Sequence, residues 1–204
     1  RNAQGHLSVA IGQRAALLVA EETPATPAQV AAEAGVKGQL PIGRNPATIR
    51  ALIDRARTAV VVVTFTGRDG KQQGLGSGVI LSADGLIATN LHVLGEARPI
   101  AVKLLDGRSF DVVAIHATEK AQDLAIVQVQ ATDLPTLPLG DADTLQPGDP
   151  LIAIGNPQGL THSVVTGVAG KRDDVQGMDL LQLAMPIERG NSGGPVLNLE
   201  GEIV

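Results

Sequence analysis

The sequence predicts an all-β fold, arranged as a sandwich or a barrel. From Ala59 onward, short apolar segments follow one another with few helical patterns between them. Turn signals separate the segments, and the Asp-Gly pairs at 84–85 and 106–107 are strong indications of hairpins. The predicted strands are Ala59–Thr66, Leu75–Ser82, Leu86–Thr89, Ile100–Leu105, Ser109–His116, Leu124–Val129, Pro150–Ile154, Ser163–Ala169, Leu180–Leu183 and Pro195–Leu199.

The chain divides into three predicted regions. Residues 1–57 are interrupted by several prolines and glycines, which predicts an N-terminal accessory segment or linker with short helices. The last of these helices is expected from Pro46 to about Arg57, because apolar side chains recur there at helical spacing. A Pro- and Gly-rich run from Leu134 to Gly148 indicates a crossover between two β units, residues 58–137 and residues 138–204.

Composition narrows the classes of function. The chain has 204 residues, of which 44% are hydrophobic and 18% charged, which fits one globular domain or two small ones. A net charge of −5 and an aromatic content of 1% argue against nucleic acid as a partner. The absence of cysteine excludes disulfides, thiolate metal sites and cysteine catalysis.

No membrane span is expected, because no apolar run approaches the roughly 20 residues that cross a bilayer. The first residue is Arg1 and not methionine, so we expect that the natural start is missing from this sequence. A removed signal peptide is compatible with that beginning.

A glycine-rich motif, Gly190-Asn191-Ser192-Gly193-Gly194-Pro195, lies near the end of the chain. Glycine adopts positive φ angles and lets another chain approach closely. Backbone N–H groups can therefore turn inward beside the Ser192 hydroxyl, which is the geometry of an oxyanion hole. An ordinary glycine-rich turn between strands is the alternative.

A serine nucleophile needs an adjacent base, and that base needs a group to orient it. His92 follows a predicted strand at the point where the chain turns, a rigid place to hold a base. Asp123 opens an otherwise apolar strand, so we expect its carboxylate to be at least half-buried and paired. The other histidines, His6, His116 and His162, are expected to be ordinary surface or half-exposed residues.

His92, Asp123 and Ser192 supply a base, an orienting acid and a nucleophile in that order along the chain. The segments around them resemble the three catalytic blocks of trypsin-like serine proteases, and they are most similar to the HtrA/Deg branch. The similarity covers residues 58–204. The motifs that carry it are Thr89-Asn90-Leu91-His92-Val93, Asp123-Leu124-Ala125, Gly190-Asn191-Ser192-Gly193-Gly194-Pro195, Gly76-Ser77-Gly78-Val79-Ile80 and Gly155-Asn156-Pro157.

The resemblance implies two six-stranded antiparallel β-barrels of chymotrypsin type. The first barrel would occupy residues 58–137 and carry His92 and Asp123, and the second would occupy residues 138–204 and carry Ser192. Because the family continues with further strands after the nucleophile, the second barrel is expected to be incomplete at its C-terminus.

The resemblance also implies a role for each site residue. Ser192 would attack the scissile carbonyl, His92 would accept and return the proton, and Asp123 would hold the imidazole. Backbone N–H groups of Gly190 and Ser192 would form the oxyanion hole. No cofactor or metal is expected.

The resemblance further implies a substrate pocket lined by Pro186 and Ile187. Because neither offers an acid, we expect a small or medium apolar side chain at the cleavage site. Asn191 replaces the aspartate that receives the new N-terminus in digestive proteases, so control by loop rearrangement or oligomerisation is expected instead. Ala184 and Glu188 also depart from the branch, which usually has an aspartate and an asparagine there.

The implied partners are unfolded or peptide substrates, and the implied assembly is a homotrimer. The resemblance places the protein outside the cytoplasm, in a bacterial periplasm or secreted, with a role in protein quality control.

The motifs allow four interpretations other than an active serine protease. The motif also fits the nucleophile elbow of α/β-hydrolases, which requires a helix after Ser192 and a histidine later in the chain. A dinucleotide site at Gly74–Gly78 lacks a following helix, and a metal site lacks ligand spacing. A latent trypsin-like fold that acts as a peptide-binding or chaperone-like scaffold remains the second hypothesis.

Overall fold

The computed structural model describes residues 45–66, 72–95, 99–156, 163–175, 178–186 and 190–204. Its architecture is mostly β, as the sequence predicts. Within these residues, the helices are α1 (Pro46–Arg57) and the single turn α2 (Leu91–Leu94), and a 3₁₀ turn lies at Ala142–Thr144. The strands are β1 (Val60–Thr66), β2 (Gln72–Ile80), β3 (Leu86–Asn90), β4 (Ile100–Lys103), β5 (Ser109–Glu119), β6 (Leu124–Val129), β7 (Pro150–Gly155), β8 (Ser163–Val175), β9 (Met178–Ala184) and β10 (Val196–Leu197).

The first six strands form a closed antiparallel barrel in the order β1-β2-β3-β6-β5-β4. Pairing of β1 with β4, from Val62 opposite Lys103 to Phe65 opposite Ile100, closes it. The interior is filled by branched aliphatic side chains, which suit the half-buried faces of a pleated sheet. They include Val61, Val63, Ile80, Ile87, Val102 and Val127.

The second unit is a four-stranded antiparallel sheet within the described residues, in the order β10-β7-β8-β9. The all-β class and the closed six-stranded first barrel are thus confirmed. The hairpin β8–β9 is longer than predicted, and it pairs out to Val175 opposite Met178. Arg172 links its two strands by donating to the Asp179 carboxylate at 3.1 Å, which supports pairing beyond the apolar segment.

The predicted hairpin at Asp106-Gly107 is present between β4 and β5. Gly107 has φ of +90°, and the Arg108 backbone N–H donates to Asp106 Oδ1 at 2.9 Å. The backbone and side-chain hydrogen bonds from Arg108 lower the pKa of the Asp106 carboxyl.

Helix α1 packs against both β units. Asn45 caps its first turn by accepting from the Ala47 N–H at 2.9 Å, and Pro46 occupies the first turn, where a missing N–H costs nothing. Its apolar stripe of Ile49, Leu52 and Ala56 is buried in one cluster with strand residues of both units. The predicted helix is therefore present, whereas the other elements predicted in residues 1–44 lie outside the described residues. None of the helices described has the length and apolar character to span a membrane.

One hydrophobic cluster joins the two β units. Val60 and Val79 of the barrel share it with Ile152 of β7 and Leu197 of β10. These shared contacts fix the second sheet against the barrel, so that residues on different units reach a common junction.

Leu52→Ala tests whether α1 belongs to this shared core. We expect the free energy of unfolding to fall by about 2–4 kcal/mol, because the substitution leaves a cavity between α1 and the sheets. Arg50→Ala is the matched control, since Arg50 is exposed on the same helix and its loss should cost less than about 0.5 kcal/mol. Equal effects of the two substitutions in urea unfolding would show that α1 does not contribute to the core.

Candidate active site

His92 stands where a barrel strand changes into a helical turn. Strand β3 ends at Asn90 and α2 begins at Leu91, as the sequence predicts. Val93 packs against β2 at Gly76, where an added Cβ would lie 2.5 Å from a Val93 methyl carbon. This close approach holds the turn against the barrel, while the His92 side chain remains 51% exposed and open to solvent.

Asp123 is paired with His92 through two hydrogen bonds. Asp123 Oδ2 lies 2.5 Å from His92 Nδ1, and Oδ1 accepts from the His92 backbone N–H at 2.9 Å. The carboxylate is 25% exposed, in agreement with the expected half-burial. A carboxylate only accepts hydrogen bonds, so Nδ1 carries the proton and Nε2 is left as an acceptor in the neutral ring.

The backbone of Asp123 is strained and held in place. Its φ of +50° lies in the left-handed region, which few residues other than glycine adopt. Its carbonyl accepts from the Leu91 N–H and from Asn90 Nδ2, both at 2.9 Å. These hydrogen bonds tie Asp123 to the end of β3, which offsets the strain and fixes the carboxylate beside His92.

The glycine-rich segment 190–195, called the serine loop below, lies against the end of the barrel that carries His92. The Ser77 N–H in β2 donates to the Ser192 carbonyl at 2.8 Å. Gly193 has φ of +83° and lies so close to β2 and β3 that an added Cβ would stand 2.1 Å from the Ser77 carbonyl oxygen and 2.4 Å from Thr89 Oγ1. Ser192 is thereby placed beside the strand that carries His92 at its end.

Two backbone donors of this loop are unused. Gly190 and Ser192 are buried, yet the N–H group of neither donates a hydrogen bond in the described structure. Such donors are available to an oxygen atom of a bound ligand.

The hydroxyl of Ser192 has no hydrogen bond to His92 within the described residues. The structure thus contains the His92–Asp123 hydrogen bond and no hydrogen bond between His92 and the Ser192 hydroxyl among the described residues. Catalytic hydrogen bonds are often long before substrate binds, so this geometry is compatible with a nucleophile–base pair.

The buried polar side chains of the described residues gather at this junction. They are Ser77, Thr89, Asn90, Asn156, Asn191 and Ser192, each less than 8% exposed. Buried polar groups are costly unless they are hydrogen-bonded, so their concentration at one place indicates a site rather than a core.

Asn191 is 2% exposed, and its Oδ1 accepts no hydrogen bond from the described residues. The oxygen lies against Gly155, where an added Cβ would be 2.5 Å away. A carboxylate here would be a buried charge with no partner among the described residues, which costs more than a neutral amide. The local structure therefore explains the asparagine at this position.

The remaining predicted site residues are less informative. Pro186 is exposed just after β9, and Ile187 lies outside the described residues. His116 is exposed on β5, within the strand rather than at its end, and His6 and His162 are outside the described residues. Sequence reasoning gave no role to Ser77 or Asn156, although both lie in motifs noted for their resemblance.

After the serine the chain continues as turn and strand β10, and residues 193–204 contain no helix. The nucleophile elbow of α/β-hydrolases requires a helix at this point. The chain matches the trypsin-like peptidase domain over residues 76–204. It belongs to the trypsin-like peptidase family.

Similar proteins of this family come from bacteria of several groups. Two named "Probable periplasmic serine endoprotease DegP-like", from Pseudomonas fulva and Halomonas elongata, are 41% and 42% identical to this chain over 142 residues. A Synechocystis protein named as a serine protease, HhoB, is 40% identical over 144 residues. These matches cover 67–68% of this chain but only 29–34% of the relatives. The HtrA/Deg branch predicted from the motifs is thus confirmed.

Gly193→Ala tests the close packing of the serine loop. We expect it to lower the free energy of unfolding by more than about 3 kcal/mol, because the methyl group meets the Ser77 carbonyl and the backbone must keep a positive φ. Gly107→Ala is the matched control. Its φ is also positive, but an added Cβ there has no atom within 4 Å, so the cost should be about 1–2 kcal/mol.

Urea unfolding of both variants measures the difference. Equal losses of stability would mean that the loop does not lie against β2 and β3 as described.

Proposed function

We propose that this chain is a serine endopeptidase domain that hydrolyses peptide bonds through His92, Asp123 and Ser192. The observation that carries the proposal is the pairing of His92 Nδ1 with Asp123 Oδ2 at 2.5 Å, at the point where the Ser192 loop meets the barrel. That pairing leaves Nε2 free to accept a proton from the serine. Names of the relatives, which describe serine proteases, support the same activity.

In the proposed reaction, His92 Nε2 takes the Ser192 proton as Oγ attacks the scissile carbonyl. The unused N–H groups of Gly190 and Ser192 donate to the oxygen that becomes negative, each worth about 3–4 kcal/mol in the transition state. His92 then gives the proton to the leaving amine, and an acyl-enzyme remains. Water, activated by the same histidine, releases the second product.

Asp123 keeps the imidazole in one tautomer and stabilises the imidazolium formed during the reaction. To act as the base, His92 must be neutral, with its ring proton on Nδ1 toward Asp123.

The finer features of the function are proposed from the resemblance to the family. We propose that the substrates are proteins or peptides with a small or medium apolar side chain at the cleavage site. That side chain would enter a pocket lined by Pro186 and Ile187. An extracytoplasmic location is supported by the word periplasmic in the names of the DegP-like relatives. A homotrimer and a role in protein quality control are proposed from the HtrA/Deg resemblance.

A latent fold that binds peptides without cleaving them is the second candidate. It is favoured by the open link between Ser192 and His92 in the described structure. The two candidates differ in whether bound peptide is cleaved.

Ser192→Ala separates them. We expect peptide hydrolysis to fall by at least about 10⁴-fold, because the nucleophile is lost, with unfolding stability almost unchanged. Ser109→Ala, which removes an exposed serine of β5, should leave hydrolysis unchanged. The measurement is cleavage of an unfolded protein substrate, together with labelling by a fluorophosphonate probe.

Cleavage that is equal in the wild type and the Ser192→Ala variant would contradict the assignment of the nucleophile. Binding of the unfolded substrate by the wild type, with neither cleavage nor labelling, would support the latent fold.

A further inference from the structure

The hydroxyl of Ser77 connects three parts of the molecule. Ser77 lies in β2 of the barrel and is completely buried. Its Oγ donates to the Gly190 carbonyl oxygen at 2.7 Å, and it accepts from Asn156 N at 3.0 Å and from Asn156 Nδ2 at 3.1 Å. One hydroxyl therefore joins the barrel, the end of β7 and the serine loop.

The same residue also holds Ser192. The Ser77 backbone N–H donates to the Ser192 carbonyl at 2.8 Å. Ser77 thus contacts the carbonyl groups of both residues whose N–H groups are unused, Gly190 through its side chain and Ser192 through its backbone.

Gly190 needs such a restraint. Its φ is +99°, and a glycine without Cβ can rotate its neighbouring peptide planes at little steric cost. The Asn156 backbone N–H also donates to the Gly190 carbonyl, at 3.2 Å. Because an amide is planar, the bonds to the Gly190 carbonyl fix the peptide plane that joins Gly190 to Asn191, and with it the position of the Gly190 Cα. The Gly190 N–H lies in the preceding plane, so these bonds act on it through the position of that Cα.

We infer that Ser77 is a positioning residue for the oxyanion hole, acting through the hydrogen bond from its hydroxyl to the Gly190 carbonyl. The inference rests on the proposed function and identifies how the barrel sets the geometry of a donor on the second unit. Asn156 orients the hydroxyl, because its two N–H donors occupy the acceptor side of Oγ and direct the hydroxyl proton toward Gly190.

Ser77→Ala removes the hydroxyl and leaves the Ser77 N–H bond to Ser192 intact. We expect kcat on a peptide substrate to fall by about 10- to 100-fold, as misplacement of a catalytic group by a fraction of an ångström to 1 Å does. KM should change little, because the donor acts on the transition state rather than on the bound substrate. The acid limb of the pH profile should keep its position, since the His92–Asp123 pair is not touched.

The rate is expressed per reactive site. The end point of fluorophosphonate labelling at Ser192 counts the competent sites, so a partly unfolded variant gives fewer sites at an unchanged rate per site. A positioning role instead lowers the rate at each labelled site.

Two further variants complete the test. Ser77→Cys keeps a side chain of similar size with a weaker donor, and its kcat should lie between those of wild type and Ser77→Ala. Thr64→Val is the control, because it also removes a barrel hydroxyl that is partly buried. That hydroxyl donates to the Ala101 carbonyl at 3.4 Å and not to a residue of the serine loop. Its rate per site should equal that of wild type.

A rate per labelled site in Ser77→Ala equal to that of wild type would overturn the inference and leave the proposed function standing. A wild-type protein that is not labelled at Ser192 would overturn both.

Discussion

The contact between the serine loop and the end of the barrel is the constraint on which the rest of this structure depends. Ser192 and His92 lie on different β units, so the proposed site needs residues of both units. The shared cluster that includes Val60 and Ile152 sets the two units against each other. The hydrogen bonds of Ser77 to the carbonyl groups of Gly190 and Ser192 then fix the position of the serine loop against β2. Burial of apolar side chains holds the two units together, whereas the directional hydrogen bonds set the orientation of the serine loop.

On the barrel side of the site, several hydrogen bonds hold Asp123 in place. Asp123 holds a positive φ, and hydrogen bonds from Leu91, Asn90 and His92 all end on it. A strained residue with this many restraints is typical of a functional position, because strain persists only where the surroundings enforce it. The loop side is less complete, since two N–H donors and the Ser192 hydroxyl have no partner among the described residues. A bound peptide would supply acceptors to these donors.

Much of the fold could be predicted from the sequence, because apolar alternation and turn residues mark short strands directly. Strand β6 was predicted at its observed bounds, and α1 was predicted from its apolar stripe. The ends of β8 and β9 were not predicted, because the charged run Lys171-Arg172-Asp173 is typical of a turn. In the structure, cross-strand pairing and the Arg172–Asp179 ion pair extend the hairpin through this run.

The three predicted catalytic residues are His92, Asp123 and Ser192, and in the structure His92 pairs with Asp123 while the serine loop packs against the same barrel. Ser77 and Asn156 received no role, because a serine between glycines carries no sign of its partners. Those partners are 113 and 79 residues distant along the chain. Long-range hydrogen bonds of this kind leave no local pattern. The left-handed φ of Asp123 was equally invisible, since aspartate is common in ordinary turns.

The most direct test of the central claim is the rate at which a fluorophosphonate reacts with Ser192 in the wild type and in His92→Ala. If His92 activates the serine, the rate of labelling should fall by at least about 100-fold in the variant, because general-base assistance contributes that much or more. Mass spectrometry of the labelled peptide confirms the site. Labelling at Ser192 with the same rate in both proteins would contradict the account, since the serine would then react without the histidine.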